Sequence, residues 1–164
     1  MRRVVEVTLF IVCIAGGAMA YLISRKSNEP EAGEWHFDGI VEVRAYRTNW
    51  DDEYSSDVIL TEDNQLNATR IPEMGIVLTG EQVERLKQAV CVEHPPHPVA
   101  ACFNPHHAFT FHNENGAIIG HIDLCFQCSN YYASPKGFSS SWSLGSLEAL
   151  LRELGIPLEN PDWG

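Results

Sequence analysis

The sequence predicts an α+β protein: a small antiparallel sheet with a central hairpin and two packing helices, plus one N-terminal transmembrane helix. Three observations predict it. Asn115-Gly116, a strong hairpin-turn dipeptide, separates two strand-like segments. Two further segments carry apolar side chains at helical spacing. An uncharged apolar run near the start is long enough to approach the width of a bilayer core.

The apolar run spans residues 7–24 and predicts a membrane anchor in the lipid bilayer. A cleaved signal peptide is the rival interpretation, because Ala18-Met19-Ala20 fits the small-x-small cleavage pattern. The run continues past that site through Tyr21–Ile23, which favours retention over cleavage; a buried core helix is the remaining alternative. Basic residues flank the run in equal number, so charge does not fix its orientation. We expect a single-pass protein whose domain lies outside the cytoplasm, in the periplasm or at the cell surface.

Composition divides the chain into three parts. Residues 1–26 are the predicted anchor or uncleaved signal, residues 27–34 have the Ser, Pro, Gly and Glu content of a linker, and residues 35–164 form the predicted exported domain. Residues 27–164 hold 7 Lys/Arg and 21 Asp/Glu, a net charge of 7 − 21 = −14. Such a surface repels phosphate backbones, so nucleic acid is excluded as a partner, while a protein partner stays open.

The first strands are predicted from alternation and composition. Ile40–Tyr46 alternates apolar and polar residues, as a half-buried strand does. Asp57–Thr61 is short and apolar at its centre and predicts a second strand, and Glu62–Arg70 predicts a loop.

Two amphipathic helices follow from capping signals and spacing. Thr79 with Gln82 three residues later is a capping-box signature for the first helix. Ser143 and Ser146 are rival N-caps for the second, and Gly155 ends it. The apolar stripes are Val83, Leu86 and Val90 in the first helix and Leu147, Leu150, Leu151 and Leu154 in the second.

The central hairpin pairs His107–His112 with Ala117–Phe126. A two-residue turn at Asn115-Gly116 would pair positions whose numbers sum to 231; a turn at Glu114-Asn115 gives 229 and the same parity. Either register therefore assigns the same side chains to each face. The predicted core face is Phe109, Phe111, Ile122 and Leu124, and the other face, expected to be solvated, is Thr110, His112, His121, Asp123 and Cys125.

Both registers bring the start of the first hairpin strand beside the end of the second. Cys102, His106 and His107 should therefore meet Cys125 and Cys128. A one-residue bulge would exchange the two histidines, so the pattern does not choose between them.

The motif resembles that of an uncharacterised bacterial family whose members carry C-[FY]-x-P-[RH]-H, a hairpin, and then C-F-x-C. Here it runs through Cys102–His107 and Cys125–Cys128. The resemblance implies a fold and a site but no reaction. It also implies that His107 is the better ligand candidate, since the first of the paired positions is Arg in some members of that family.

Three interpretations of the cluster stay open. Three cysteines with one histidine would suit a tetrahedral Zn²⁺ site. The same thiols, together with Cys91, could form disulfides in an exported domain. A redox-active Cys125–Cys128 pair is less well supported, because it closes a strand whereas reactive C-x-x-C pairs open helices.

Two functions from different classes follow from these interpretations. The first is a membrane-tethered domain with a Cys/His metal site at Cys102, His106, His107, Cys125 and Cys128. The second is a disulfide-stapled extracytoplasmic interaction domain with a purely structural cluster. An enzyme ranks third, because no nucleophile–base arrangement or carboxylate pair stands out by spacing, and no catalytic residue is assigned.

Overall fold

The computed structural model describes residues 38–159. The predicted anchor and the linker lie outside the described residues. The described part belongs to the compact unit Ala32–Gly164. Its elements, in chain order, are β1 (Glu42–Arg47), β2 (Ile71–Val77), α1 (Gly80–Cys91), β3 (His107–His112), β4 (Ile118–Cys125), β5 (Asn130–Ser134) and α2 (Leu144–Glu153).

The strands form one antiparallel sheet in the order β2-β1-β3-β4-β5. The β3–β4 hairpin therefore lies within the sheet, between β1 and β5, and the predicted α+β class is confirmed for the described part. Neither α1 nor α2 is long and apolar enough to cross a membrane, and residues 38–159 hold no other α-helix.

The main core lies between one face of the sheet and the two helices. All four side chains predicted for the hairpin's core face are fully buried there: Phe109, Phe111, Ile122 and Leu124. The helices contribute the predicted apolar stripes, with Leu86 and Leu147 among the fully buried side chains. The period-2 and period-3.6 patterns thus assigned these faces correctly.

Both helix starts are confirmed. The Thr79 hydroxyl accepts the Gln82 backbone N–H at 3.3 Å, and the Gln82 side chain accepts the Thr79 N–H at 2.8 Å, which completes the capping box. Ser143, not Ser146, is the N-cap of α2. Gly155 follows that helix with a φ of 72°, a left-handed conformation that glycine adopts without strain.

The register of the β3–β4 hairpin is the predicted one, but its turn differs. Pairs from His107↔Leu124 to Phe111↔Gly120 sum to 231, and the register then shifts by a bulge. The two-residue turn was wrong: the Gly116 N–H donates to the Asn113 carbonyl at 2.9 Å, and Gly116 has a φ of 75°. A four-residue turn with glycine in the left-handed region needs that bulge to keep the strands in register.

The predicted strand Asp57–Thr61 was wrong. Among the described residues this segment makes only an isolated bridge, Leu60↔Leu66. The second strand is instead Ile71–Val77, which pairs with β1. The sequence pattern did not reveal this strand, because most of its side chains are exposed. It also contains Pro72 and Gly75, residue types that strands usually avoid.

The second face of the sheet is covered, not solvated as expected. Thr110, His112, His121 and Asp123 are all at most 7 % exposed. The segment between β1 and β2 lies over this face, where Ile59 packs in a small cluster with Tyr46 and Ala108. The Asp123 carboxylate accepts the Ile59 N–H at 2.7 Å, so a hydrogen bond between distant residues holds this segment against the sheet.

Candidate cysteine site

The structure brings Cys102 to the C-x-x-C motif, as the hairpin register predicted. Cys102 lies in the Pro-rich segment, residues 92–106, which connects α1 to β3. Cys125 is the last residue of β4, and Cys128 lies in the turn between β4 and β5. The Sγ atoms of Cys102 and Cys128 are 2.6 Å apart. That separation exceeds the about 2.05 Å of a disulfide bond, and both residues are free thiols in the described part of the chain.

The turn after β4 fixes Cys125 against Cys128. The Cys128 backbone N–H donates to the Cys125 Sγ at 3.3 Å, and the Ser129 N–H donates to the Phe126 carbonyl at 3.1 Å. Ser129 takes a positive φ of 49°, which turns the chain into β5. Cys125 and Cys128 are 1 % and 3 % exposed, whereas Cys102 is exposed. The exposed thiol of Cys102 therefore contacts the buried thiol of Cys128, whose backbone in turn contacts the buried Cys125 sulfur.

Three hydrogen bonds hold the Pro-rich segment to this turn independently of sulfur. The Ala100 N–H donates to the Cys128 carbonyl at 2.9 Å, and His97 donates from Nε2 to the Ser129 carbonyl at 3.1 Å. The Asn130 side chain donates to the Cys102 carbonyl at 3.3 Å. Cys102 is thus positioned by its neighbours. His97 is one of the residues that position it, through its bond to the Ser129 carbonyl.

The contact with Cys128 raises the pKa of the Cys102 thiol, chiefly through their hydrogen bond and secondarily through burial and charge. The effect belongs to an exposed group and is screened by solvent.

The two predicted histidine ligands make contacts away from the thiols. The ring nitrogens of His106 lie 3.4 Å from the Thr48 carbonyl oxygen and 3.2 Å from that of Glu53. His107 donates from Nε2 to the Pro157 carbonyl at 3.0 Å. Burial and the Arg47 charge lower the pKa of His107 to about 3, so it is neutral at physiological pH.

Within residues 38–159, no three Cys, His, Asp or Glu side chains converge in an arrangement that could hold a metal ion. The predicted ligand set of Cys102, His106, His107, Cys125 and Cys128 stays a prediction. Cys91, the remaining cysteine of the disulfide interpretation, lies at the end of α1 and packs against the main core.

A second polar cluster lies on the covered face of the sheet. His121 donates from Nδ1 to the Asp123 carboxylate at 2.9 Å. Nearby, His112 donates from Nδ1 to the Gly116 carbonyl at 3.3 Å, so its Nε2 accepts the Thr110 hydroxyl at 2.8 Å. A base beside a hydroxyl is the arrangement that activates a nucleophile, but Thr110 is fully buried and out of reach of a substrate. The cluster satisfies buried polar groups.

Comparisons of the chain with protein-family models, with curated proteins and with solved structures found no match. The resemblance to the bacterial family with the C-[FY]-x-P-[RH]-H motif therefore rests on the motif itself and stays a prediction.

Proposed function

We propose that the chain is a membrane-tethered extracytoplasmic interaction domain whose Pro-rich segment is stapled to the β4–β5 turn by a Cys102–Cys128 disulfide. The observation that carries the proposal is the 2.6 Å separation of the two sulfur atoms. The apolar run at residues 7–24 supports tethering, and disulfides persist in the compartments to which such an anchor exports a domain.

The staple would rigidify a surface segment that has no helix or strand of its own. Residues 92–106 connect α1 to β3 and contain four prolines. A disulfide between cysteines 26 positions apart lowers the entropy of the unfolded chain and stabilises the fold by about 3.5 kcal/mol in the chain-entropy model. A rigid exposed segment loses less entropy when a partner binds it, which suits a recognition surface.

Disulfide mapping tests the proposal directly. Full-length protein, extracted from membranes with its thiols blocked by an alkylating reagent at acid pH, should yield a peptide that links Cys102 to Cys128. Reduction should lower the free energy of unfolding by about 3.5 kcal/mol, and Cys102→Ser should lower it equally in unreduced protein. Cys91→Ser is the matched control and should keep the link. Alkylation of both Cys102 and Cys128 in unreduced protein would contradict the staple.

A metal site is the second candidate, favoured by the turn that holds Cys125. A backbone N–H directed at a sulfur, as from Cys128 to Cys125, is the kind of hydrogen bond that stabilises a thiolate ligand. The thiolates of Cys102, Cys125 and Cys128 would then hold Zn²⁺ and bring the segment and the turn together. Elemental analysis separates the candidates: one zinc per chain, lost in Cys125→Ser, would favour the metal over the staple.

A further inference from the structure

We propose that Cys128 has two alternative disulfide partners, and that its bond to Cys102 exchanges within the molecule for a bond to Cys125. The inference rests on the proposed staple and adds a reactive state to it. Both sulfurs lie against Cys128: the Cys102 Sγ is 2.6 Å from the Cys128 Sγ, and the Cys125 Sγ is 3.3 Å from the Cys128 backbone nitrogen.

The exchange balances without an oxidant or a reductant. The Cys125 thiol loses its proton, which ends on the departing Cys102 sulfur, and the Cys125 sulfur attacks the Cys128 Sγ. A Cys125–Cys128 bond forms, the Cys102–Cys128 bond breaks, and the electron pair leaves on Cys102, which takes the proton. One disulfide and one thiol are present before and after the step. The hydrogen bond from the Cys128 N–H holds the attacking sulfur beside the residue that it attacks.

Burial converts this internal exchange into a change of surface chemistry. While the staple is in place, the remaining thiol is Cys125, which is 1 % exposed and shielded from reagents. After exchange, the thiol is Cys102, which is exposed. As a thiolate it can attack a disulfide of another exported protein, forming a mixed disulfide at Cys102 and releasing a thiolate on that protein. The site would therefore exchange disulfide bonds with other exported proteins.

The hydrogen bonds that position the Pro-rich segment make the exchange reversible. The bonds from Ala100 to the Cys128 carbonyl and from Asn130 to the Cys102 carbonyl do not involve sulfur. They hold Cys102 beside Cys128 after the staple has opened. Cys102 can then attack the Cys125–Cys128 bond in return.

Alkylation with time distinguishes the two disulfides. Full-length protein in detergent, with Cys13→Ser and Cys91→Ser to leave three cysteines, is oxidised and incubated with iodoacetamide at pH 8. Samples are quenched in acid and mapped by mass spectrometry. We expect label to accumulate at Cys102 while the link to Cys128 passes from Cys102 to Cys125. The control, Cys125→Ser in the same background, should keep its Cys102–Cys128 link and take no label at Cys102.

A second variant tests only whether the Cys125 and Cys128 sulfurs can come close enough to form a bond. Cys102→Ser, treated with a mild thiol oxidant, should form the Cys125–Cys128 disulfide. Failure to form it, or a Cys102–Cys128 link that persists equally with and without the Cys125 thiol, would overturn the exchange and leave the staple intact. Absence of any Cys102–Cys128 link in the zero-time sample would overturn the staple and the exchange together.

Discussion

Acidification should destabilise the domain through one side chain, His107. Its ring is 1 % exposed, packs edge-on to Phe126 with ring centroids 5.1 Å apart, and donates one hydrogen bond to the Pro157 carbonyl. Burial first, and the Arg47 charge second, lower its pKa from 6.5 to about 3. The unfolded chain, in which this histidine has its ordinary pKa, therefore binds a proton before the folded protein does.

The sign and size of the effect follow from proton linkage. The stability associated with neutral His107 is fully present above pH 6.5 and is lost progressively as the pH falls towards the folded pKa of about 3. Within that window, one proton costs about 1.4 kcal/mol of unfolding free energy per pH unit. Across the whole window the loss is roughly 5 kcal/mol, comparable to the entire stability of a small domain.

Urea unfolding between pH 4 and pH 7.5, followed by tryptophan fluorescence, measures this loss. His107→Gln keeps a donor for the Pro157 carbonyl but does not titrate, so its unfolding free energy should fall less steeply with acid, by about 1.4 kcal/mol per pH unit between pH 4 and pH 6. His94→Gln is the matched control, because the His94 side chain bonds the Gln88 carbonyl and lies outside the main core. Equal slopes for wild type and His107→Gln would refute the reasoning.

Two further substitutions test the two faces of the sheet. Phe111→Ala should lower the unfolding free energy by about 3–5 kcal/mol, because the ring is fully buried in the main core; Tyr54→Ala, at a side chain that is 80 % exposed, is the control, and an equal effect would mean that the hairpin faces are misassigned. Asp123→Ala should cost about 1–3 kcal/mol because it leaves the Ile59 N–H and the His121 Nδ1–H without their acceptor. Asp57→Ala, on the exposed part of the same covering segment, should change little, and equal urea midpoints for the two Asp variants would show that this carboxylate does not hold the segment.

The parts of the fold that were predicted correctly are specified by local signals. The capping box at Thr79 depends on residues three apart. The register of the β3–β4 hairpin follows from the position of Gly116 and from the parity of the core-face residues, and that parity survived the error in the turn because the bulge restores it.

The parts that were not predicted depend on contacts between distant segments. The sequence from β1 to β2 is polar and rich in turn residues, so nothing local shows that Ile59 is buried or that it bonds Asp123, 64 positions later. A strand face that carries polar residues has the same sequence pattern whether water or another segment of the chain covers it. Here the cover supplies backbone donors and acceptors to the buried polar side chains, which makes burying them tolerable.

The histidine ambiguity has a geometric explanation. Adjacent strand residues point to opposite faces of a sheet, so His106 and His107 cannot both approach one site without a bulge between them. Among the described residues, the irregularity of the β3–β4 hairpin lies at its turn end, between Phe111 and His112. His107 therefore faces the main core, and His106 lies near Thr48 and Glu53. Sequence spacing placed the two histidines near the cysteines but could not show which way their rings point.

The position of the staple fits a weakness of the sheet. β5 ends the strand order and pairs only with β4 among the described strands, so it is held less firmly than the strands within the sheet. Cys128 lies in the turn immediately before β5, and the bonds from the Pro-rich segment reach the same turn at Cys128, Ser129 and Asn130. A covalent link here secures the end of an edge strand, whereas a link within the β3–β4 hairpin would add little to strands already paired on both sides.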